Sequence, residues 1–206
     1  MSNRDELKAG CIQSMGEDLG SVYWALNEHA ADLWLTWRQY KHLFSSDEHT
    51  VQLLNESAPL LFSIIQRQFS DSVIMGISRL TDNREIYGKY NLTIKVLPEK
   101  IQNAPELQAE VSRLCNKATE DAGFARNHRT KRIAHNDLKY ILDRTANPLQ
   151  TATRDKIETC LESICEVLNK LSSHYRKTTV LYDKIVVDGG SGQLLSRLKK
   201  AAQAAP

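Results

Sequence analysis

The sequence is short of the residues that interrupt helices. Its 206 residues include five prolines and nine glycines, so long stretches run without a backbone breaker. Segments that alternate apolar and polar residues with a period of two are nearly absent, which excludes a sheet-based architecture. Cysteine is scarce as well. Cys11, Cys115, Cys160 and Cys165 form no Cys-x-x-Cys pair and lack zinc-ligand spacing, so they read as reduced core thiols rather than a disulfide framework or a metal site. Excess charge of one sign is missing too: 27 Lys and Arg against 25 Asp and Glu leave a formal net charge of +2. That balance argues against a protein that coats nucleic acid with its whole surface. The longest apolar run, near Leu60 to Ile65, is far short of a membrane span. The start, Met1-Ser2-Asn3-Arg4-Asp5-Glu6, has mixed charge and no secretory pattern. These absences point to a cytoplasmic protein that does not engage a membrane, in which Asn55-Glu56-Ser57 and Asn91-Leu92-Thr93 are chance matches to the glycosylation pattern.

What is present is helical periodicity. Leu19, Val22, Tyr23, Leu26, Ala30, Leu33, Trp34, Trp37, Tyr40 and Leu43 recur at three- and four-residue spacings and predict one long amphipathic helix from about Asp18 to Phe44. Ser45, Ser46 and Asp47 supply a stop and a fresh N-cap. A second helix is expected from Glu48 to Leu80, kinked at Pro59 and deeply buried through Leu60, Leu61, Ile64, Ile65, Phe69, Val73, Ile77 and Leu80. The polar segment Thr81 to Tyr90 reads as a surface loop, and Asn91-Leu92-Thr93 starts a short helix that ends before Pro105. A helix from Pro105 to about Ala122 leads past Gly123 into a basic segment. Asn147-Pro148 breaks the chain, and a last long helix runs from about Thr151 to Tyr182. The fold class is therefore all-α, a bundle of four to six helices, several of them long. The expected organisation is a bundle over 1–183, then a hinge and a short amphipathic C-terminal helix over 184–206. Ile185-Val186-Val187 followed by Asp188-Gly189-Gly190-Ser191-Gly192 superficially suggests a nucleotide loop, but no Gly-Lys-Ser/Thr follows and Leu195 stands where a dinucleotide fingerprint needs its third glycine.

The densest chemistry lies in Arg126-Asn127-His128-Arg129-Thr130-Lys131-Arg132-Ile133-Ala134-His135-Asn136-Asp137. At roughly 100° per residue on a continuous helix, His128, Lys131, Arg132, His135 and Lys139 share one stripe. Ile133, Ala134, Leu138 and Ile141 fall on the opposite arc, which is expected to face a core. Guanidinium, ammonium and imidazole on one surface form a candidate phosphodiester-handling site. The bland alternative is a solvated basic patch, and a bare Arg-x4–6-His pattern is expected about once by chance in a chain of this composition. Trp24, Trp34 and Trp37 fit base-stacking platforms but, at helical spacing, fit core or dimer packing better. Arg79 and Asp82 fit a structural salt bridge that pins the loop after the second helix, or a role for Arg79 in a cleft.

A long-helix bundle with Arg129-x5-His135 on a late helix resembles the HEPN superfamily. More narrowly, Ser78-Arg79-Leu80-Thr81-Asp82, then Asn91-Leu92-Thr93, then Arg129 through Leu138 is similar to the HEPN-like domain of AbiU-type abortive-infection proteins, over about residues 15 to 180. That resemblance implies a metal-independent ribonuclease of phage defence or a toxin–antitoxin system, with no cofactor. It also implies a homodimer whose motif helices face each other. The substrate would be RNA, such as tRNA or mRNA, and an antitoxin or other partner protein would restrain the activity. Carried over, His135 is the acid–base residue and Arg129 the phosphate ligand. Asn136 orients, and His128, Lys131, Arg132, Arg126 and Lys139 contribute to substrate binding. Thr130 departs from the small polar residue that commonly follows the family's arginine. Arg126 has that neighbour in Asn127 but stands farther from His135, so the phosphate arginine stays open among Arg126, Arg129 and Arg132. A non-catalytic HEPN-like module that binds RNA, a nucleotide or a protein is the alternative, and Tyr140 or Thr130 as the target of a modifying partner is a third.

Overall fold

A computed structural model describes residues 3–45, 47–185 and 188–204. In chain order it has α1 (Asn3–Met15), α2 (Glu17–Phe44), α3 (Glu48–Ser57), α4 (Pro59–Leu80), a hairpin of β1 (Glu85–Ile86) and β2 (Lys89–Tyr90), α5 (Leu97–Lys100), α6 (Pro105–Asp121), α7 (Gly123–His128), α8 (Leu138–Leu142), α9 (Arg154–Arg176) and α10 (Ser191–Ala204). The all-α class holds, since the only sheet among the described residues is the two-stranded hairpin. None of these helices is long and apolar enough to cross a membrane.

The chain divides into two compact units, one of residues 1–31 and 74–180, the other of residues 32–73 and 181–206. In the first, α6 and α9 form the most extensive helix pair. Leu107, Val111, Leu114, Cys115 and Ala118 recur on one face of α6 and are buried. Ile157, Cys160, Leu161, Ile164, Leu168 and Leu171 do the same on α9, as a 3.6-residue repeat requires. Each of these large aliphatic side chains contributes about 1.5–3 kcal/mol by leaving water. Thr153 caps α9 by accepting from Lys156 N at 3.3 Å, and Lys177 in the left-handed region ends it at φ 55°. In the second unit, Leu43, Leu54 and Phe62 form a cluster against which Leu195 and Leu198 of α10 pack. The expected C-terminal amphipathic helix is thus present, with Leu195 and Leu198 packed within its own unit and Leu194 exposed.

The four cysteines are free and buried. Burial pushes the Cys115 and Cys160 thiols up to about 12, with Asp121 adding to the effect at Cys160, so both stay protonated and unreactive at neutral pH.

Three local expectations change. The helix expected over Glu48–Leu80 is two helices. Asp47 caps the first, accepting from Thr50 N at 2.7 Å, and Pro59 opens the second, where its missing N–H costs nothing. Near that start the apolar residues are adjacent in sequence and wrap around more than one face, so they cannot all point to one core. Leu60 is 75% exposed, and Leu61 and Ile64 are exposed as well, whereas Phe62, Val73, Ile74, Ile77 and Leu80 are buried. The segment Thr81 to Tyr90 is not wholly irregular but holds the hairpin. The last long helix is shorter than expected at both ends, and Val186 and Val187 before the glycine-rich turn lie outside the described residues.

Gly20 marks the close approach of α2 to α1. A Cβ there would sit 2.6 Å from Ile12 Cα and 2.7 Å from Cys11 O, contacts with backbone that no rotamer change relieves. Alanine for glycine inside a helix ordinarily gains about 1 kcal/mol. Gly20→Ala should instead lose roughly 1–3 kcal/mol in urea unfolding, as overpacking does.

Candidate functional site

The basic motif is not a continuous α-helix. After α7 the chain widens into a π-helical turn over Arg129–Ile133, closed by Ala134 N donating to Arg129 O at 2.9 Å, five residues back. Residues 134–137 are then irregular until Asp137 caps α8 by accepting from Tyr140 N at 2.8 Å. In α geometry Arg129 and Arg132 would set like charges three residues apart, a spacing that disfavours a regular helix.

This break overturns the expected stripe, because a constant 100° phase holds only along one unbroken helix. Ile133 is half-buried and Ala134 exposed. On α8 the side chains of Leu138 and Leu142 are 69% and 76% exposed and Ile141 is also exposed. The arc expected to face a core therefore faces outward. Only Tyr140 of α8 is buried, with the Arg144 guanidinium 5.5 Å from its ring centre.

His128, expected on the cationic surface, points inward and is 9% exposed. Its Nε2–H donates to Gln150 O at 2.7 Å; the carbonyl can only accept, so the proton sits on Nε2. Nδ1 is buried with no hydrogen-bond partner among the described residues. Asn127 grips the same backbone from the other side, its Oδ1 accepting from Gln150 N at 3.0 Å. Together they strap the segment before α9 to the motif. Arg126 is also turned inward: Nη2 donates to Thr119 O at 2.6 Å, and Nη1 is buried without a partner among the described residues. Neither side chain has the open position that a phosphate ligand needs.

Arg129 does. It is one-third exposed, and its Nη1 donates to Asp82 Oδ2 at 2.5 Å. Asp82 therefore pairs with the motif arginine rather than with Arg79, whose side chain is exposed. The Asp82 carboxylate also accepts from Asn83 N at 2.9 Å, and its carbonyl accepts from Thr93 Oγ1 at 3.0 Å. Asn91 Nδ2 donates to Asn83 O at 2.9 Å. The three sequence blocks, Ser78 to Asp82, Asn91 to Thr93 and Arg129 to Leu138, thus meet at one place. Lys95 joins them, donating from Nζ to Asn83 Oδ1 at 3.2 Å. Burial and then the repulsion of Arg126 hold its ammonium below the ordinary lysine range, while Asp82 acts in the opposite sense. Beside this cluster lies a cavity of about 590 Å³ whose lining includes Asn83, Arg84, Lys95, Gln108, Ser112 and Asn116.

His135 and Asn136 sit in the irregular segment, exposed to solvent. Lys131 is half-buried and donates to Pro148 O at 3.4 Å. Arg132 is half-buried, and Lys139 is exposed on α8. Lys95 and the role of Asp82 were missed by sequence reasoning. The signal for Lys95 was its position two residues after Thr93, whose Oγ1 accepts from Lys95 N at 3.1 Å. For Asp82 the nearby Arg79 was the more obvious partner, and only the tertiary structure brings Arg129 closer.

The HEPN_AbiU2 family model, described as AbiU2, matches residues 17–188. No curated protein matches the chain, and no solved structure does.

Since His128 and Asn127 hold one peptide between them, His128→Ala should cost about 1–3 kcal/mol by stranding the Gln150 carbonyl and opening a gap. In hydrogen exchange the Gln150 amide, held by Asn127, should lose protection, while amides in the middle of α9 keep theirs relative to global unfolding.

Proposed function

The chain belongs to the HEPN_AbiU2 family of abortive-infection proteins, and from that premise we propose that it is a metal-independent endoribonuclease of a bacterial phage-defence or toxin–antitoxin system. It acts in the cytoplasm as a homodimer. The observation that carries this reading is the meeting of a partly open arginine, Arg129, with a resident carboxylate, Asp82, on a motif whose His135 is exposed six residues further along the chain. A guanidinium that already holds one anion at charge-assisted distance is suited to hold another, and phosphate oxygens present the same acceptor geometry.

In the proposed reaction the ribose 2′-hydroxyl attacks the adjacent phosphorus. The 2′-oxygen bond to phosphorus forms, the bond to the 5′-oxygen breaks, and the products end in a 2′,3′-cyclic phosphate and a 5′-hydroxyl. A neutral His135 imidazole takes the 2′-hydroxyl proton, and a protonated imidazole gives one to the departing 5′-oxygen. A homodimer supplies two copies of His135, one for each transfer. Arg129 neutralises charge on the phosphorane. Asn136 orients the imidazole, Lys131, Arg132 and Lys139 draw the RNA backbone, and His128 and Arg126 shape the turn from inside. The exposed Leu138, Ile141 and Leu142 beside the motif give a second copy an apolar surface to cover.

A second reading, a HEPN module that binds RNA or a protein without turnover, is favoured by one observation: Asp82 already neutralises Arg129.

The two readings separate on cleavage of total RNA and tRNA in EDTA. The endoribonuclease gives EDTA-resistant fragments with 2′,3′-cyclic phosphate ends that disappear in His135→Ala and fall by about a hundredfold or more in Arg129→Ala. Equal cleavage by wild type and His135→Ala would remove His135 from the chemistry, and binding without any cleavage would establish the module. The cleavage rate should also change between about pH 5 and 8, as general acid–base catalysis by an imidazole requires. A flat pH response with a steep salt response would instead describe phosphate binding alone.

A further inference from the structure

The hairpin that grows from Asp82 carries an unusual payload. Tyr87 is 99% exposed and Tyr90 81% exposed, although burial of an aromatic ring is among the larger single gains available to a folded chain. The turn between the strands is Tyr87-Gly88, with φ of 53° and 74° at the two residues. Positive φ at both centres is the demand of a tight two-residue hairpin, and Asn-Gly is the pair that meets it most easily. Gly88 fits. Tyr87 does not, since a bulky side chain in the left-handed region is strained. The fold thus holds an almost fully exposed aromatic ring against the preference of its own backbone. Strain kept at one place in this way marks a constraint other than stability.

The hairpin is also fastened to the candidate site. Asn91 N donates to Arg84 O at 2.8 Å, and Arg84 pairs with Glu99 at the root. Asp82 and Asn83, the residues from which the hairpin rises, are those that hold Arg129 and Lys95. The two rings therefore stand on a base that includes the phosphate arginine. Lys89 is exposed between them, with Glu85 paired across from Tyr90. Two exposed π-faces with cations at their foot match single-stranded nucleic acid, whose bases stack on aromatic rings while its phosphates meet Lys and Arg.

We propose that the Arg84–Asn91 hairpin is a stacking finger for single-stranded RNA, in which Tyr87 and Tyr90 hold bases flanking the phosphate bound at Arg129. This rests on the ribonuclease reading of the Arg129 site and adds to it: the substrate is unpaired at the cut, and selection comes from stacking on neighbouring bases. The tyrosines are positioning residues, with His135 and Arg129 left to the chemistry.

The test uses the full chain and a fluorescent single-stranded oligoadenylate of about ten nucleotides, with 2′-O-methyl sugars so that it cannot be cut. An abasic strand of equal length and charge is the control. Tyr87→Asn should weaken oligoadenylate binding about ten- to a hundredfold, the range for losing one stacked base. Affinity for the abasic strand should stay unchanged. Because asparagine suits the turn better than tyrosine, the same variant should melt at the wild-type temperature or above it. Tyr90→Ala should weaken binding in the same selective way, and Tyr87→Trp should retain it. Unchanged oligoadenylate affinity in Tyr87→Asn would overturn the finger and leave the rings to a protein partner, and so would an equal loss on both strands. If Arg129→Ala weakens both strands while the tyrosine variants weaken neither, the finger falls and the ribonuclease reading stands. Wild-type protein that binds neither strand overturns both.

Discussion

The ion pair between Arg129 and Asp82 decides how the rest of this site is arranged. It joins the first residues after α4 to the π-helical turn after α7, two places 47 residues apart in sequence. A charge-assisted hydrogen bond of this kind contributes about 1.5–3 kcal/mol where sheltered, and less here because Arg129 is one-third exposed. Its geometric effect exceeds its energy. Asp82 is held from one side by Arg129 and from the other by Thr93, which links the hairpin root, Lys95 and the motif turn. The pair also sets the resting state of the site, because a carboxylate occupies the guanidinium that a phosphate would need.

Much of the fold was legible in the sequence because its helices obey one rule, burial of a 3.6-residue stripe. The long α2, the α6 and α9 pair and the short C-terminal helix follow it, although on that last helix Leu195 and Leu198 pack inward while Leu194 is exposed. The failures come where that rule lacks information. At Leu60 to Ile65 nearly every residue is apolar, so hydrophobicity does not select a face. At Thr81 to Tyr90 the strands are two residues each, too short for any alternation to register.

The motif shows the same limit more sharply. Its residue types were readable, and the blocks around Asp82, Thr93 and Arg129 do meet in space. Their orientation was not readable, because one π-helical turn breaks the phase on which every face assignment after Arg129 depended. His128 and Arg126 lie before that turn, on α7, and point inward, where they fasten the Gln150 peptide and the end of α6. Arg129 and His135 keep the more open positions. Of the arginines left undecided by spacing, Arg126 is the one that donates inward to the Thr119 carbonyl. The outward turn of Leu138, Ile141 and Leu142 follows from the same break in phase.

The most direct measurement is a double-mutant cycle on unfolding stability with Asp82→Ala, Arg129→Ala and the combined variant. A coupling of about 1–2 kcal/mol between the two positions is expected if the carboxylate and guanidinium meet as described. Effects that simply add, to within about 0.3–0.5 kcal/mol, would contradict it. The hairpin and the motif turn would then be separate features with no common anchor.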